Sequence, residues 1–240
     1  MEGGEQARAP LTGRGRTEAT EPSALQRTYA RRVAESKATI PHLYLRADVD
    51  MGACVELRDR LRAELGEAAP QYVDMVVRAA ALALREHPRL NGAYRDARFE
   101  SHSRVNVAVT VATQDTQMLP VISDADQAGL AEIAQRRAEL AERARGGEIT
   151  RPELSGGTFT VASYGDDEGV DEFAPAVVHG QGALLAAGAV REAPLVRGGA
   201  VVAGHAMTLV LCCDQRLIQG AEGAAFLRHV RGLLEEPDRL

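Results

Sequence analysis

The sequence predicts an α/β domain built on a mixed sheet, and three observations carry that reading. Segments with helical apolar spacing are mixed with segments that read as strands. No internal repeat is visible along the chain. The 240 residues are 45% hydrophobic, enough to bury a sizeable core.

The elements follow in order. Residues 1 to about 22 alternate Gly, Glu, Arg and Thr without apolar periodicity and are expected to form a disordered tail. The folded domain is expected over 23–240, with no linker dividing it. Ser23 is a good N-cap for a helix through ALQRTYARRVAESK. IPHLYLRADVD reads as a strand, with Ile40, Leu43, Leu45, Ala47 and Val49 close to period two. CVELRDRLRAEL and QYVDMVVRAAALALREH read as helices. In the second, Val73, Val76, Val77, Ala80 and Leu84 form an apolar stripe, and Pro88 ends it. RVNVAVTVAT and MLPVIS read as buried strands, and AGLAEIAQRRAELAERAR as an amphipathic helix. GGTFTVASYG, QGALLAAGAV and MTLVLCCDQ carry further strands. GAEGAAFLRHVRGLLEE closes the chain as a helix.

Composition excludes several classes. A net charge of -6 argues against a dedicated nucleic-acid binder. Aromatics are 4% and Trp is absent, so the core rests on Ala, Val and Leu. Lys37 is the only lysine, a bias that reads as the codon usage of a GC-rich genome. Cys54, Cys212 and Cys213 form no disulfide framework, which fits a reducing compartment. No signal peptide and no apolar run of membrane-spanning length is visible, so the expected location is the cytoplasm, away from membranes.

The order of segments resembles the catalytic domain of the 2-oxo acid dehydrogenase dihydrolipoamide acyltransferases. ARRVAESKATIPHLYLRADVD, REHPRLN, RVNVAVTVAT, MLPVISDADQAGLAEIAQRRAEL, GGTFTVASYG and GQGALLAAGAV each match a family segment in sequence order. DQRLIQGAEGAAFL stands where the family has D-H-R-x-x-D-G-A. The resemblance implies a chloramphenicol acetyltransferase-like sandwich, a mixed sheet flanked by helices, assembled as a homotrimer with each site at a subunit interface. It implies a channel for coenzyme A and an acceptor. The family's lipoyl and subunit-binding domains have no room in this chain, so a stand-alone catalytic domain is expected.

The resemblance also assigns roles by position. In the family the His of D-H-R is the general base, the Asp four residues later organises the site, and a Ser in T-F-T-x-S donates to the oxyanion. Here those positions are Gln215, Gln219 and Ala162, with Ser163 next to the last. A Gln amide does not titrate and cannot serve as a base near neutral pH. Ser163 can replace the lost donor only if its strand slips or bulges, because a one-residue shift turns the side chain to the other face. Asp214, Arg216 and Gly220 remain.

Other residues carry weaker signals. His179, in VVHGQG, is a speculative alternative base against the reading of an exposed loop histidine. His42, in IPHLYL, reads as structural. The six histidines show no metal-ligand spacing, and no metal is expected. Cys212 and Cys213 read as packing residues. Asp166, Asp167, Glu168 and Gly169 could hold a cation but read as a solvated turn. Arg31 and Arg32 lie where fold relatives place a cation that supports the organising Asp. Three functions follow as expectations. The first is a repurposed enzyme acting on a small-molecule, polyketide or tetronate-type intermediate. The second is a catalytically silent scaffold. The third is an acyl-CoA-dependent O-acyltransferase with a different base, which alone would need a coenzyme A thioester.

Overall fold

A computed structural model describes residues 18–164 and 169–240. The first seventeen residues of the expected tail, and Asp166 to Glu168 of the acidic turn, lie outside the described residues. Helix α1 covers Ala24–Thr39. Its start is set by a capping box: the Ser23 hydroxyl accepts from the Gln26 N–H, and the Gln26 side chain accepts from the Ser23 N–H. Strand β1 follows at His42–Asp50, then α2 at Gly52–Leu65 and α3 at Tyr72–Glu86. Two hairpins come next: β2 (Gly92–Arg95) with β3 (Arg98–Ser101), and β5 (Val111–Ala112) with β6 (Gln117–Met118). Strand β4 (Val107–Val109) precedes the second of them and β7 (Val121–Ile122) follows it. The remaining elements are α4 (Leu130–Arg145), β8 (Phe159–Ser163), β9 (Ala183–Ala187), β10 (Arg191–Arg197), β11 (Ala200–Asp214) and α5 (Gly220–Glu235).

Seven strands form one mixed sheet in the order β1-β11-β9-β8-β4-β7, with β10 paired to the first half of β11. Strands β9, β8 and β4 run parallel to their neighbours in that group, and the other pairs are antiparallel. One sheet face packs against α3 and α5, with Ile133 of α4 joining them. The strand residues Val49, Val107, Phe159, Val161, Leu185, Leu209 and Leu211 meet Met75, Val76, Ala80, Phe226 and Val230 there. Phe159 and Phe226 lie with ring centroids 5.7 Å apart, both fully buried. Each such side chain contributes about 1.5–3 kcal/mol by leaving water.

The other face is covered differently. Ala162, Leu184, Ala186, Val210 and Cys212 form a smaller apolar layer with Ile40 and Val177, and Phe173 and Val178 pack on it. The covering segment is held by a close backbone crossing at Gly188. A Cβ there would lie 1.9 Å from the Asp171 carbonyl oxygen, so only glycine fits. Helix α1 buries only Ser36, whose hydroxyl donates to the Val177 carbonyl at 2.6 Å. The helix therefore lies along this face without a deep apolar seat of its own.

The structure departs from the sequence reading in three places. The expected strand RVNVAVTVAT is two short strands, β4 and β5, broken at Thr110, whose hydroxyl accepts from the Ser163 N–H at 3.1 Å. β2 and β3 form a hairpin that was not expected. The last strand begins at Ala200 rather than Met207, and pairs with an unexpected β10 through a turn at Gly198 and Gly199, both at positive φ.

Candidate functional site

The site is built at the end of β11. Asp214 is the strand's last residue, opposite His42 of β1, and its N–H donates to the Gly182 carbonyl at 2.8 Å. The Leu217 and Ile218 N–H groups both donate back to the Asp214 carbonyl, which closes a tight turn before α5. Gln215 sits on that turn. Its N–H donates to the Pro41 carbonyl at 2.9 Å, while its side chain is exposed. Asp214 is buried and paired with Arg216, through Nε at 2.9 Å and Nη2 at 2.6 Å. The Asp214 carboxylate holds the Arg216 guanidinium above its ordinary pKa. Arg216 also stacks over the Tyr94 ring, 4.6 Å from its centroid. Gln219 is the N-cap residue of α5 and makes no side-chain cap bond.

Gln215 and Gln219 thus stand on an ordered turn braced by the Asp214–Arg216 pair. Ala162 is buried in the smaller apolar layer, on the row Arg46–Val210–Ala186–Ala162 across the sheet. Gln215 lies five residues beyond Val210, just past the end of β11, and β8 lies two strands away from β11. Strand geometry puts the two positions about 20 Å apart within one chain. One chain does not bring them together.

Ser163 does not share the face of Ala162. The pairing of β8 with β9 is continuous from Thr160 to Ser163, with no bulge, so Ser163 faces opposite to Ala162. It lines a small cavity of about 130 Å³ with Gln71, Tyr72, Arg137 and Met207 on the helix side of the sheet. His179 lies in an exposed turn, and among the described residues it has no ring contact or ion pair.

His42 is structural, as its sequence context predicts. Its Nδ1 meets the Ile40 carbonyl at 2.8 Å, and the Val177 N–H donates to its Nε2 at 3.0 Å. A carbonyl only accepts and an N–H only donates, so the ring is neutral with its proton on Nδ1. Burial pushes its pKa below the usual imidazole value, against the upward pull of the Ile40 carbonyl. Burial lowers His87 likewise. Both rings favour the neutral form when folded, so their contribution is full above pH about 6.5 and is lost as pH falls through the depressed folded values. Urea unfolding is expected to show falling stability from pH 7 towards 5. His42→Ala should be about 1–3 kcal/mol less stable at pH 7.5, with a flatter curve over that range. An unchanged slope would remove His42 from this account.

The remaining signals are soon placed. Burial pushes the thiols of Cys54, Cys212 and Cys213 up to about 12, so they are poor nucleophiles at neutral pH. Arg31 and Arg32 are exposed. Among the described residues no cluster of His, Cys, Asp or Glu could hold a metal ion, and no helix is long and apolar enough to cross a membrane. A groove of about 750 Å³ lies at the far end of β1, lined by Asp50, Glu56, Arg197 and Arg231. Its two arginines are already paired: Arg197 donates to both oxygens of Asp50, and Arg231 to Glu235. The polar cluster that sequence reasoning missed is Lys37 with Tyr44. Its members are seven residues apart on different elements, and only the composition hinted at it.

Comparison with known proteins places this geometry. The family model described as "2-oxoacid dehydrogenases acyltransferase (catalytic domain)" matches residues 14–240. The acetyltransferase component of the mitochondrial pyruvate dehydrogenase complex of Caenorhabditis elegans is 35% identical over 225 residues, which cover 90% of this chain and 44% of that protein. The chain thus spans less than half the length of that relative. Among solved structures, the dihydrolipoamide acetyltransferase of Azotobacter vinelandii superposes with a TM-score of 0.89 at 26% identity, covering 94% of each chain. That structure addresses the roles of a serine, a histidine and an asparagine in its catalytic mechanism, the last two four positions apart. A chloramphenicol acetyltransferase shares the fold at a TM-score of 0.52 and 15% identity, covering 88% of this chain and 94% of that one. The chain belongs to the family of 2-oxoacid dehydrogenase acyltransferase catalytic domains.

Proposed function

We propose that this member of the family has been repurposed. It uses the ligand site of the fold for a step on a small-molecule intermediate of bacterial specialised metabolism, of polyketide or tetronate type, without a histidine base. The observation that carries the reading is Gln215. It occupies the base position on a turn whose backbone and Asp214–Arg216 pair are fully formed. A decayed site would need none of that order. An exposed Gln amide offers two donors and an acceptor, so it can orient or polarise a ligand carbonyl where a histidine would have moved a proton. The separation of Gln215 and Ala162 supports a homotrimer in which a second copy completes the site. A coenzyme A thioester enters the reaction only if acyl transfer is retained. The test is a product assay on candidate tetronate-type intermediates with wild type and Gln215→Ala. Loss of turnover in the variant is expected, and an unchanged product rate would end this role for Gln215.

A second reading is a catalytically silent subunit of a 2-oxoacid dehydrogenase assembly. The names of its relatives favour it. Co-purification with an active dehydrogenase, and no small-molecule turnover, would select it over the first.

A further inference from the structure

Of the 28 Lys and Arg residues in the chain, Lys37 is the single lysine. It stands in the last turn of α1, where any cation complements the helix dipole. Arginine fills cationic positions everywhere else, so the dipole alone does not explain a lysine here. The structure gives it a specific neighbour. The Lys37 ammonium donates to the Tyr44 hydroxyl, and Nζ lies 5.1 Å from the centroid of the same ring. Among the described residues no carboxylate pairs with Lys37. The carboxylate at the end of β11, Asp214, is taken by Arg216.

Tyr44 is itself held. Its ring stacks on His42, with centroids 5.8 Å apart and an interplanar angle of 21°. His42 is fixed by both of its nitrogens, so it acts as a rigid backing plate. Tyr44 lies opposite Cys212 on β11, and His42 opposite Asp214, the residue before Gln215. The Pro41 carbonyl, one residue before His42, accepts from Gln215. The pair therefore stands near the same strand end as the Gln215 turn, three residues or about 10 Å along the strand from it, and Tyr44 is 43% exposed. The Tyr44 oxygen accepts from Lys37, so its own O–H is free to donate outward. Lys37 keeps further N–H donors as well. Two donors, one of them charged, converge on one exposed spot with no anion assigned to it.

The geometry points to Lys37 and Tyr44 as a two-donor seat for an anionic oxygen, an enolate or carboxylate, of a small molecule that extends from the Gln215 turn along β1. This rests on the small-molecule reading above and adds the charge of the ligand. A compact ammonium and a phenol reach one oxygen from two directions, a fit that a planar guanidinium would not reproduce. Charge-assisted hydrogen bonds of this kind are the strong ones.

The probe is tetronic acid, an enolate at neutral pH, with its neutral O-methyl ether as the control. Calorimetric titration of the full chain is expected to show saturable binding of the acid and at least about tenfold weaker binding of the ether. Tyr44→Phe and Lys37→Met should each weaken the acid by about tenfold and leave the ether unchanged. The double variant should lose less than the product of the two, because both act on one oxygen. Both side chains reach the surface, so unchanged circular dichroism is expected to confirm folding. Reductive methylation with labelled formaldehyde gives Lys37 a single side-chain resonance, which should shift on adding the acid. Equal binding of acid and ether, affinity unchanged in both variants, or no saturable binding would overturn the seat. Binding is read without turnover, so the seat can stand even if no reaction is found at Gln215.

Discussion

Arg137→Met is expected to destabilise the fold by about 3–5 kcal/mol, because it strands a buried carboxylate. Asp74 is completely buried in the first turn of α3. It accepts from Arg137 Nε at 2.5 Å and Nη2 at 3.1 Å, and from the Gln71 N–H at 2.8 Å. The last bond and the α3 dipole remain in the variant. They do not replace the desolvated ion pair between α3 and α4. In a chain of this size the loss corresponds to a fall of roughly 10 °C in Tm. The double variant Asp74→Asn with Arg137→Met should recover part of it, since a buried amide costs less than a buried charge. Thermal and urea unfolding of the three variants measure this. A loss within about 1 kcal/mol for Arg137→Met would show the pair to be no stronger than a surface bridge.

The second large effect concerns chemistry. Gln215→His with Gln219→Asn and Ala162→Ser is expected to raise coenzyme A release from acetyl-coenzyme A, with dihydrolipoamide as acceptor, by at least about 10²-fold over wild type. A positioned general base is worth on the order of 10²–10⁴ in rate, and an oxyanion donor about 10²–10³. The contributions do not multiply freely, so the lower end is the expectation. The turn that would aim the new imidazole is already in place through the Pro41 and Asp214 carbonyls. The serine would enter on the face that Ala162 now occupies, which Ser163 cannot reach. Asparagine at 219 matches the residue type addressed in the Azotobacter enzyme. Gln215→His alone should give a smaller gain, because the oxyanion would still lack its donor.

Much of this was legible in the sequence, and the misses have physical causes. Ser23 announced α1 because capping chemistry is local, and Gln26 completes it within one turn. β1 was visible because Leu43, Leu45, Ala47 and Val49 all face one core. β10 was missed because Pro194 sits in its middle, which argues against a strand. The structure tolerates it because, among the described residues, β10 pairs with β11 alone and leaves its other edge free. Gly198 and Gly199 were the available signal, a pair suited to a two-residue hairpin turn. The β2–β3 turn had no such signal: Asp96 and Ala97 both adopt positive φ, a conformation for which Ala is an unusual choice. At the site, the resemblance singled out positions 215, 219 and 162, and alternation along β8 foretold the face of Ser163. The distance between Gln215 and Ala162 could not be read, because it depends on strand order. Nor could the pairing of Lys37 with Tyr44, which depends on how α1 lies against β1.

Under the proposed function, Gln215 ends histidine-type acyl transfer at this site. The direct test is the rate of coenzyme A release from acetyl-coenzyme A with dihydrolipoamide, measured for wild type and Gln215→Ala over pH 6 to 9. The account predicts two indistinguishable rates near the uncatalysed background, with no inflection near an imidazole pKa. Wild-type turnover well above background, with such an inflection, would contradict it and mean that another base serves the site.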